Sequence, residues 1–152
     1  MRKVSEVRWV REVGRPGCVP IGRPRGAKAA GVRYERALAL AMPQVSHGVW
    51  LEFEDALGHG YAQVDFLWRG EGGVVVGEAK LTWRREAYVQ VRKLYFPLLR
   101  WLFGSVGGIL ICKNVTRETP REEITNELHK ALLRSRDEGV IPVLHWPLGV
   151  TG

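Results

Sequence analysis

Two short apolar segments that each carry acidic side chains constrain the fold of this chain more than any other feature. The first, Tyr61–Trp68, contains Asp65, and the second, Val74–Leu81, contains Glu78 and Lys80 near its end. Their β-branched and aromatic content, and the glycine-rich stretch between them, predict two strands joined by a hairpin. Charged carboxylates are seldom buried unless a partner or a metal neutralises them. A chain that carries two carboxylates in core strands therefore has to provide partners or a metal site that neutralise them.

The alternation of side chains along a strand gives this site its chemistry. Glu78 and Lys80 are two residues apart and point to the same face of their strand. Two carboxylates that come together repel each other, and a divalent cation relieves that repulsion by taking their oxygens as ligands. Glu-x-Lys alone is common on a solvated strand face, where it forms an ion pair. The preceding Asp65 strand favours a metal site.

Length and composition define the class of protein. The chain has 152 residues, enough for one domain with a proper core, and a net charge of +7. It contains no apolar run of about 18 residues that predicts a membrane span, and its N-terminus lacks the apolar core of a signal peptide. Two cysteines, Cys18 and Cys112, are too few and too distant to form a metal cluster. We expect a protein of the cytoplasm, in a prokaryotic cell or a virus-infected host.

The charge is unevenly distributed along the chain. Residues 1–36 carry ten basic and three acidic side chains, residues 37–80 carry two and six, and residues 81–100 carry five and one. An acidic centre between two basic zones is typical of a metal site beside a polyanion. Residues 1–30 are rich in turns and basic side chains and predict an N-terminal arm, with a short strand within Val4–Val13.

Hydrophobic periodicity predicts an α/β protein. The predicted fold has a mixed central sheet, made of a three-stranded antiparallel meander plus a crossover strand, with helices on its faces. Pro97 predicts a kink in the longest helix. The predicted elements are a helix at Gly31–Met42 with Glu35 on its apolar stripe, strands at His47–Asp55, Tyr61–Trp68 and Val74–Leu81, a helix at 84–103, a strand at Val106–Cys112, a helix from Pro120 to Asp137, and a strand at Val140–Trp146.

These residues resemble the motifs of the PD-(D/E)XK nuclease superfamily, which includes restriction enzymes, Holliday-junction resolvases and RecB-type exonucleases. The resemblance covers about residues 31–113 and implies a restriction-endonuclease-like core within a nuclease domain at 31–152. It departs from the family at Val64, where the nominal residue is proline. The spacing from Gln90 to Tyr95 is also one residue longer than the RecB-type Gln-x-x-x-Tyr signature. The matching residues are Glu35, Asp65, Glu78-Ala79-Lys80 and Gln90.

The resemblance implies a role for each of these residues. Asp65, Glu78 and the backbone carbonyl of Ala79 would hold Mg²⁺ or Mn²⁺. Lys80 would orient or help deprotonate the attacking water, and Glu35 would complete the site directly or through a water molecule. Gln90 would position Lys80, the water or the DNA backbone. The implied protein is a metal-dependent DNA nuclease that hydrolyses phosphodiester bonds in recombination, repair or phage DNA processing.

Partners and alternatives follow from the same resemblance. DNA is the expected substrate, with a homo-oligomer, or other recombination or replication proteins, as further partners. Three alternatives stay open: a dimeric endonuclease that resolves branched DNA such as Holliday junctions, a non-catalytic DNA-binding module with the same fold, and an RNA nuclease. The basic side chains expected to contact nucleic acid are Arg84, Arg85, Arg92, Lys93, Arg23, Arg25 and Lys28.

The basic zones predict that affinity for DNA depends on salt. Each phosphate contact from Lys or Arg releases counterions, so the affinity should fall at least about tenfold between about 50 and 200 mM salt. Titration of a labelled duplex by fluorescence anisotropy at several salt concentrations measures the slope. Arg84→Ala should reduce this slope by about one. A salt-independent affinity would contradict the role of the basic zones.

Overall fold

A seven-stranded mixed sheet lies at the centre of the protein, in a computed structural model that describes residues 3–17 and 27–147. The first four strands pair as antiparallel neighbours in chain order, and β4, β5, β7 and β6 then pair in parallel. The predicted α/β class with a mixed sheet and an antiparallel meander is confirmed. The strands are β1 Trp9–Val13, β2 Ser46–Asp55, β3 Gly58–Gly70, β4 Gly73–Thr82, β5 Val106–Asn114, β6 Ile124–Thr125 and β7 Val143–His145.

Helices cover both faces of the sheet in the described part of the chain. One face packs on the second and third helices through Val91, Leu98 and Leu99, and we call it the α3 face. The other packs on the first and last helices through Leu38 and Ala131, and we call it the α1 face. None of these helices is long and apolar enough to cross a membrane. The helices are α1 Ala27–Ala41, α2 Arg85–Gln90, α3 Phe96–Phe103 and α4 Leu128–Asp137, with a π-helical turn at Val91–Tyr95 between α2 and α3.

The long predicted helix at 84–103 is continuous, but its irregularity lies before Pro97. The π-helical turn ends where the Phe96 N–H donates to the Val91 carbonyl five residues earlier. Pro97 is the second residue of α3 and follows this turn directly. A proline inside a helix lacks its own N–H and crowds the carbonyl four residues earlier, which here belongs to Lys93 in the π turn. The helix is therefore irregular in the turn that precedes Pro97, next to the position of the predicted kink.

Two other predicted elements differ in extent. The helix predicted from Pro120 to Asp137 is a 3₁₀ turn at Arg121–Glu123, then strand β6, then α4. The β-branched pair Ile124 and Thr125 adds to the sheet beside Val143 and Leu144, and this pairing overrides the helical pattern. At the other end, part of the predicted arm is β1, which pairs along its whole length with β2.

The chain topology brings the carboxyl ends of β4 and β5 to one edge of the sheet. Lys80 lies beside Cys112 in the parallel β4–β5 ladder. Cys112 is a buried free thiol on the α3 face, and Cys18 is outside the described residues. Helix α1 is fixed near this edge by a hydrogen bond of 2.7 Å from the Tyr34 hydroxyl to the Trp146 carbonyl. Glu35, the residue after Tyr34, therefore lies near the carboxyl ends of β4 and β5.

Close contact between β5 and the helix above it generates a stability prediction. A Cβ atom at Gly108 would lie 2.8 Å from Val91 Cγ1 and 2.9 Å from Phe96 Cε1. Gly108→Ala should therefore lower the free energy of unfolding by about 1–3 kcal/mol, as overpacked cores do. Urea denaturation measures the change. Gly72→Ala is the matched control, because a Cβ there meets no atom within 4 Å, and equal stability of the two variants would contradict this packing.

Candidate functional site

The ladder between β3 and β4 ends one residue before the two acidic positions. Its last pair is Phe66 opposite Gly77, so Asp65 and Glu78 follow directly where the two strands separate. The alternation of faces along β3 also breaks here, because Val64 packs on the α3 face and Phe66 on the α1 face. Residues two apart in a regular strand share one face. The irregular backbone thus opens the sheet at Asp65.

The carboxylate of Asp65 occupies the opening between the two strands. Its Oδ2 atom accepts a hydrogen bond of 2.9 Å from the backbone N–H of Ala79. A β4 donor beyond the end of the ladder is therefore satisfied by a side chain instead of by the β3 backbone. The contact fixes Asp65 beside Glu78.

Glu78 is the most deeply buried acidic side chain of the site, with 4% of its surface exposed. Its Oε1 atom lies 3.6 Å from Nζ of Lys80. Its Oε2 atom is buried and has no hydrogen-bond partner among the described residues. A buried carboxylate oxygen without a partner is costly, so this atom marks a position where a ligand would stabilise the fold.

Glu35 approaches the same site from helix α1. It is half-buried, and its Oε1 atom lies 3.1 Å from Nε2 of His47 on β2. The His47 ring stacks on Phe66, with the two ring centroids 5.2 Å apart. His47 is exposed on β2, and its contact with Glu35 holds that side chain in position.

The three carboxyl groups perturb one another. Burial is the largest cause that raises the pKa of Asp65, and repulsion by Glu35 adds to it, while the Ala79 hydrogen bond lowers it. Burial also raises the pKa of Glu78, followed by repulsion from Asp65, and Lys80 opposes both effects. Burial raises the pKa of Glu35 as well. The site therefore holds more negative charge than its own cations neutralise.

A divalent cation fits this arrangement. No three His, Cys, Asp or Glu side chains form a complete metal cage within residues 3–17 and 27–147. Mg²⁺ does not require such a cage, because it keeps several waters and takes one or two carboxylates together with substrate phosphate oxygens. Asp65 and Glu78 supply oxygen donors only, and Oε2 of Glu78 has no hydrogen-bond partner in the part of the chain that the structure describes. These two side chains, with the backbone carbonyl of Ala79 directly after Glu78, are the groups that would hold the ion.

The acidic residues open into a cleft of about 510 Å³ with basic side chains at its rim. Lys28 at the start of α1 and Arg84 before α2 both line it, and both are among the side chains predicted to contact nucleic acid. Lys80 lines it from β4, with 38% of its side chain exposed. The cleft thus combines a negative floor with a positive rim, which suits a phosphate group together with a cation.

Gln90 reaches the site through Tyr95. Its Nε2 atom donates to the Tyr95 hydroxyl at 2.8 Å, and that hydroxyl donates to the backbone carbonyl of Gln63 at 2.8 Å. Tyr95 is buried and close enough to Glu78 to lower its pKa, but its single proton is given to Gln63. Gln90 therefore supports the opened strand β3 through Tyr95.

The π-helical turn explains how Gln90 and Tyr95 meet across five residues. Side chains four apart lie on one face of an α-helix, whereas side chains five apart do not. A π turn adds one residue to the turn, so positions five apart come onto the same face. The π turn therefore accommodates the one extra residue relative to a Gln-x-x-x-Tyr spacing, and the hydrogen bond between Gln90 and Tyr95 forms.

The structure brings together four predicted site residues, Glu35, Asp65, Glu78 and Lys80, which all line the cleft. Arg92 instead lies over the Tyr88 ring at 5.7 Å, Lys93 is exposed on the π turn, and Arg85 lines a neighbouring pocket. Arg23 and Arg25 are outside the described residues. The hydrogen bonds that the Tyr95 hydroxyl makes with Gln90 and Gln63 were not predicted from the sequence. The five-residue spacing from Gln90 to Tyr95 was the available signal, but these two side chains share a helix face only because of the π turn.

Comparisons with known proteins do not show which family this chain belongs to. Neither the family models nor the curated proteins include a match to the sequence. Among solved structures, protein VC1899 from Vibrio cholerae is similar to 80% of this chain, with a TM-score of 0.39 and 13% sequence identity. The chain spans 29% of the length of that protein. A similarity of this degree carries no argument about fold or activity.

The raised pKa of Glu78 predicts that removing its charge stabilises the protein when no metal is present. A carboxyl group whose pKa is raised by folding costs stability as the pH rises above its ordinary pKa. Glu78→Gln should therefore increase the free energy of unfolding in EDTA by about 1–2 kcal/mol near pH 8, and by much less near pH 5. Urea denaturation at both pH values measures the difference.

Exposed Glu71 in the β3–β4 hairpin provides the matched control. Glu71→Gln should change stability by less than about 0.5 kcal/mol at either pH, as surface substitutions usually do. A Glu78→Gln variant that is less stable than the parent near pH 8 would contradict the electrostatic description of the site.

Proposed function

We propose that this protein is a divalent-metal-dependent nuclease of the PD-(D/E)XK type, which hydrolyses phosphodiester bonds in DNA. The observation that carries the proposal is the pair Asp65 and Glu78 at the opening of the sheet, with Oε2 of Glu78 buried and without a hydrogen-bond partner among the residues that the structure describes. An oxygen-donor pair that is short of positive charge, beside a lysine and under a basic rim, is arranged for a cation and a phosphate together.

The bound cation would supply Lewis-acid activation of water and neutralisation of charge on the phosphate oxygens. The chain itself supplies the positions of the reacting groups. Asp65 is fixed by the Ala79 N–H and Glu78 by its burial in the sheet, so neither carboxylate has to reorganise when the ion binds. This rigidity favours electrostatic stabilisation of the transition state.

Lys80 and Glu35 supply the remaining polar groups at the cleft. Lys80 has its ammonium 3.6 Å from Glu78 and remains partly exposed, so it can turn toward a phosphate oxygen or an attacking water. Glu35 faces the same space, and its raised pKa, caused mainly by burial, makes it a proton acceptor closer to neutral pH. We assign Lys80 to orienting the water and to stabilising charge on phosphorus, and Glu35 to completing the site.

The Gln90–Tyr95 contact gives independent support to the superfamily assignment. A glutamine and a tyrosine on the helix after the Glu-x-Lys strand are the additional signature of RecB-type members. The sequence departs from that signature by one residue, yet Nε2 of Gln90 lies 2.8 Å from the Tyr95 hydroxyl because of the π turn. The contact supports β3 at Gln63, two residues before Asp65.

The proposal predicts a loss of cleavage when either central residue is changed. Asp65→Asn removes the charge that attracts the cation, and Lys80→Ala removes the ammonium at the cleft, so each should lower cleavage of labelled DNA at least about a hundredfold. Cleavage should require Mg²⁺ or Mn²⁺ and stop in EDTA. Gel analysis of linear, circular, single-stranded and branched substrates measures both effects and the substrate preference.

Lys130→Ala provides the matched control, because Lys130 is exposed on α4 and its ion pair is with Glu127 at the start of the same helix. Circular dichroism should be the same for all three variants and the parent. Cleavage that persists in chelator, or that survives Asp65→Asn, would refute the metal-dependent mechanism. Tight binding of DNA without cleavage under any metal would favour the non-catalytic module instead.

A further inference from the structure

A second pocket adjoins the catalytic cleft where β4 leads into α2. Its volume is about 250 Å³, and we call it the Trp83 pocket. Arg84 lines the cleft, whereas its neighbours Trp83 and Arg85 line the pocket. The backbone at Arg84 is extended, with φ −141° and ψ 142°, so successive side chains point to opposite sides. One residue of main chain therefore separates the pocket from the cleft.

Two aromatic side chains give this pocket its apolar surface. Trp83 and Tyr88 both line it, and both are partly buried against the core of the α3 face. The guanidinium carbon of Arg92 lies 5.7 Å from the centroid of the Tyr88 ring, which steadies that ring from outside the pocket. Rigid aromatic rings beside a phosphate-binding cleft are suited to stacking with a nucleobase.

The polar lining of the pocket selects against a phosphate group. Glu118 and Glu123 both face it, against Arg85 alone. Glu118 accepts one hydrogen bond of 2.9 Å from Thr116 Oγ1. Burial raises the pKa of Glu123 and repulsion by Glu122 adds to it, while the charge of Arg134 opposes both effects. Two carboxylates repel phosphate but accept hydrogen bonds from amino groups, as acidic residues do from cytosine N4.

We propose that the Trp83 pocket binds an unpaired nucleobase of the strand whose phosphodiester lies in the cleft, and that it favours bases with an exocyclic amino group. The inference rests on the proposed nuclease function for the orientation of the strand. Inside a duplex, the faces of a base are stacked on its neighbours and its Watson–Crick edge is paired. The base can therefore bind in this pocket only when it is outside a base pair. The preferred substrate class is therefore DNA that is single-stranded or locally unpaired at the site of action.

Binding in EDTA tests the pocket separately from cleavage. The probes are labelled duplexes of identical length and charge with one unpaired nucleotide, which is dC, dT or an abasic site. The parent protein should bind the dC probe about tenfold more tightly than the abasic probe, as expected for one stacked base, with the dT probe between them. Trp83→Ala should abolish this difference, and Trp83→Phe should retain most of it.

Trp101→Ala is the control, because Trp101 is an exposed tryptophan on α3 and lies outside the pocket; it should discriminate like the parent. Equal affinity for the dC and abasic probes would overturn the proposal, and so would discrimination that survives Trp83→Ala. Equal affinity for dC and dT would overturn the role of Glu118 and Glu123. If the protein discriminates between the probes but does not cleave DNA in Mg²⁺, the nuclease proposal is refuted and the base-binding proposal stands. If it cleaves DNA but does not discriminate, the base-binding proposal is refuted and the nuclease proposal stands.

Discussion

Repulsion between buried carboxylates is the constraint on which the rest of this structure depends. Asp65 and Glu78 lie where β3 and β4 separate. Burial is the main cause that raises the pKa of both, and repulsion by Glu35 adds to it at Asp65, as repulsion by Asp65 does at Glu78. Such an arrangement costs folding free energy, since each charge has lost its hydration. It persists because core layers on both faces of the sheet hold the two strands in place. Energetically unfavourable arrangements of this kind are common at functional sites.

The surroundings of the pair are organised to support it without neutralising it. The Ala79 N–H fixes Asp65, His47 contacts Glu35, and the Tyr95 hydroxyl bonds to Gln63 of the opened strand. None of these contacts supplies a full positive charge to the centre. Lys80 is the nearest cation, and it remains partly exposed at the cleft. The fold thus leaves a deficit of positive charge that a divalent ion is suited to fill.

Much of the fold was predictable because its patterns are local. The β2, β3 and β4 segments carry strong strand composition, and their hairpin connections make antiparallel neighbours the expected arrangement. The helix predicted from Pro120 was wrong where tertiary contacts decide the structure. Ile124 and Thr125 join β7 instead of a helix. This outcome does not follow from periodicity, since it depends on a strand distant in sequence.

The sequence by itself determined which chemical groups are available: Asp65, Glu78 and Lys80 follow from strand patterning, because the alternation of side chains fixes which residues share a face. Only the tertiary structure decided how they meet. The early end of the β3–β4 ladder, the π turn that joins Gln90 to Tyr95, and the Trp83 pocket each arise from packing between separate elements. Such packing sets distances between side chains, and a linear pattern of residues contains no distances.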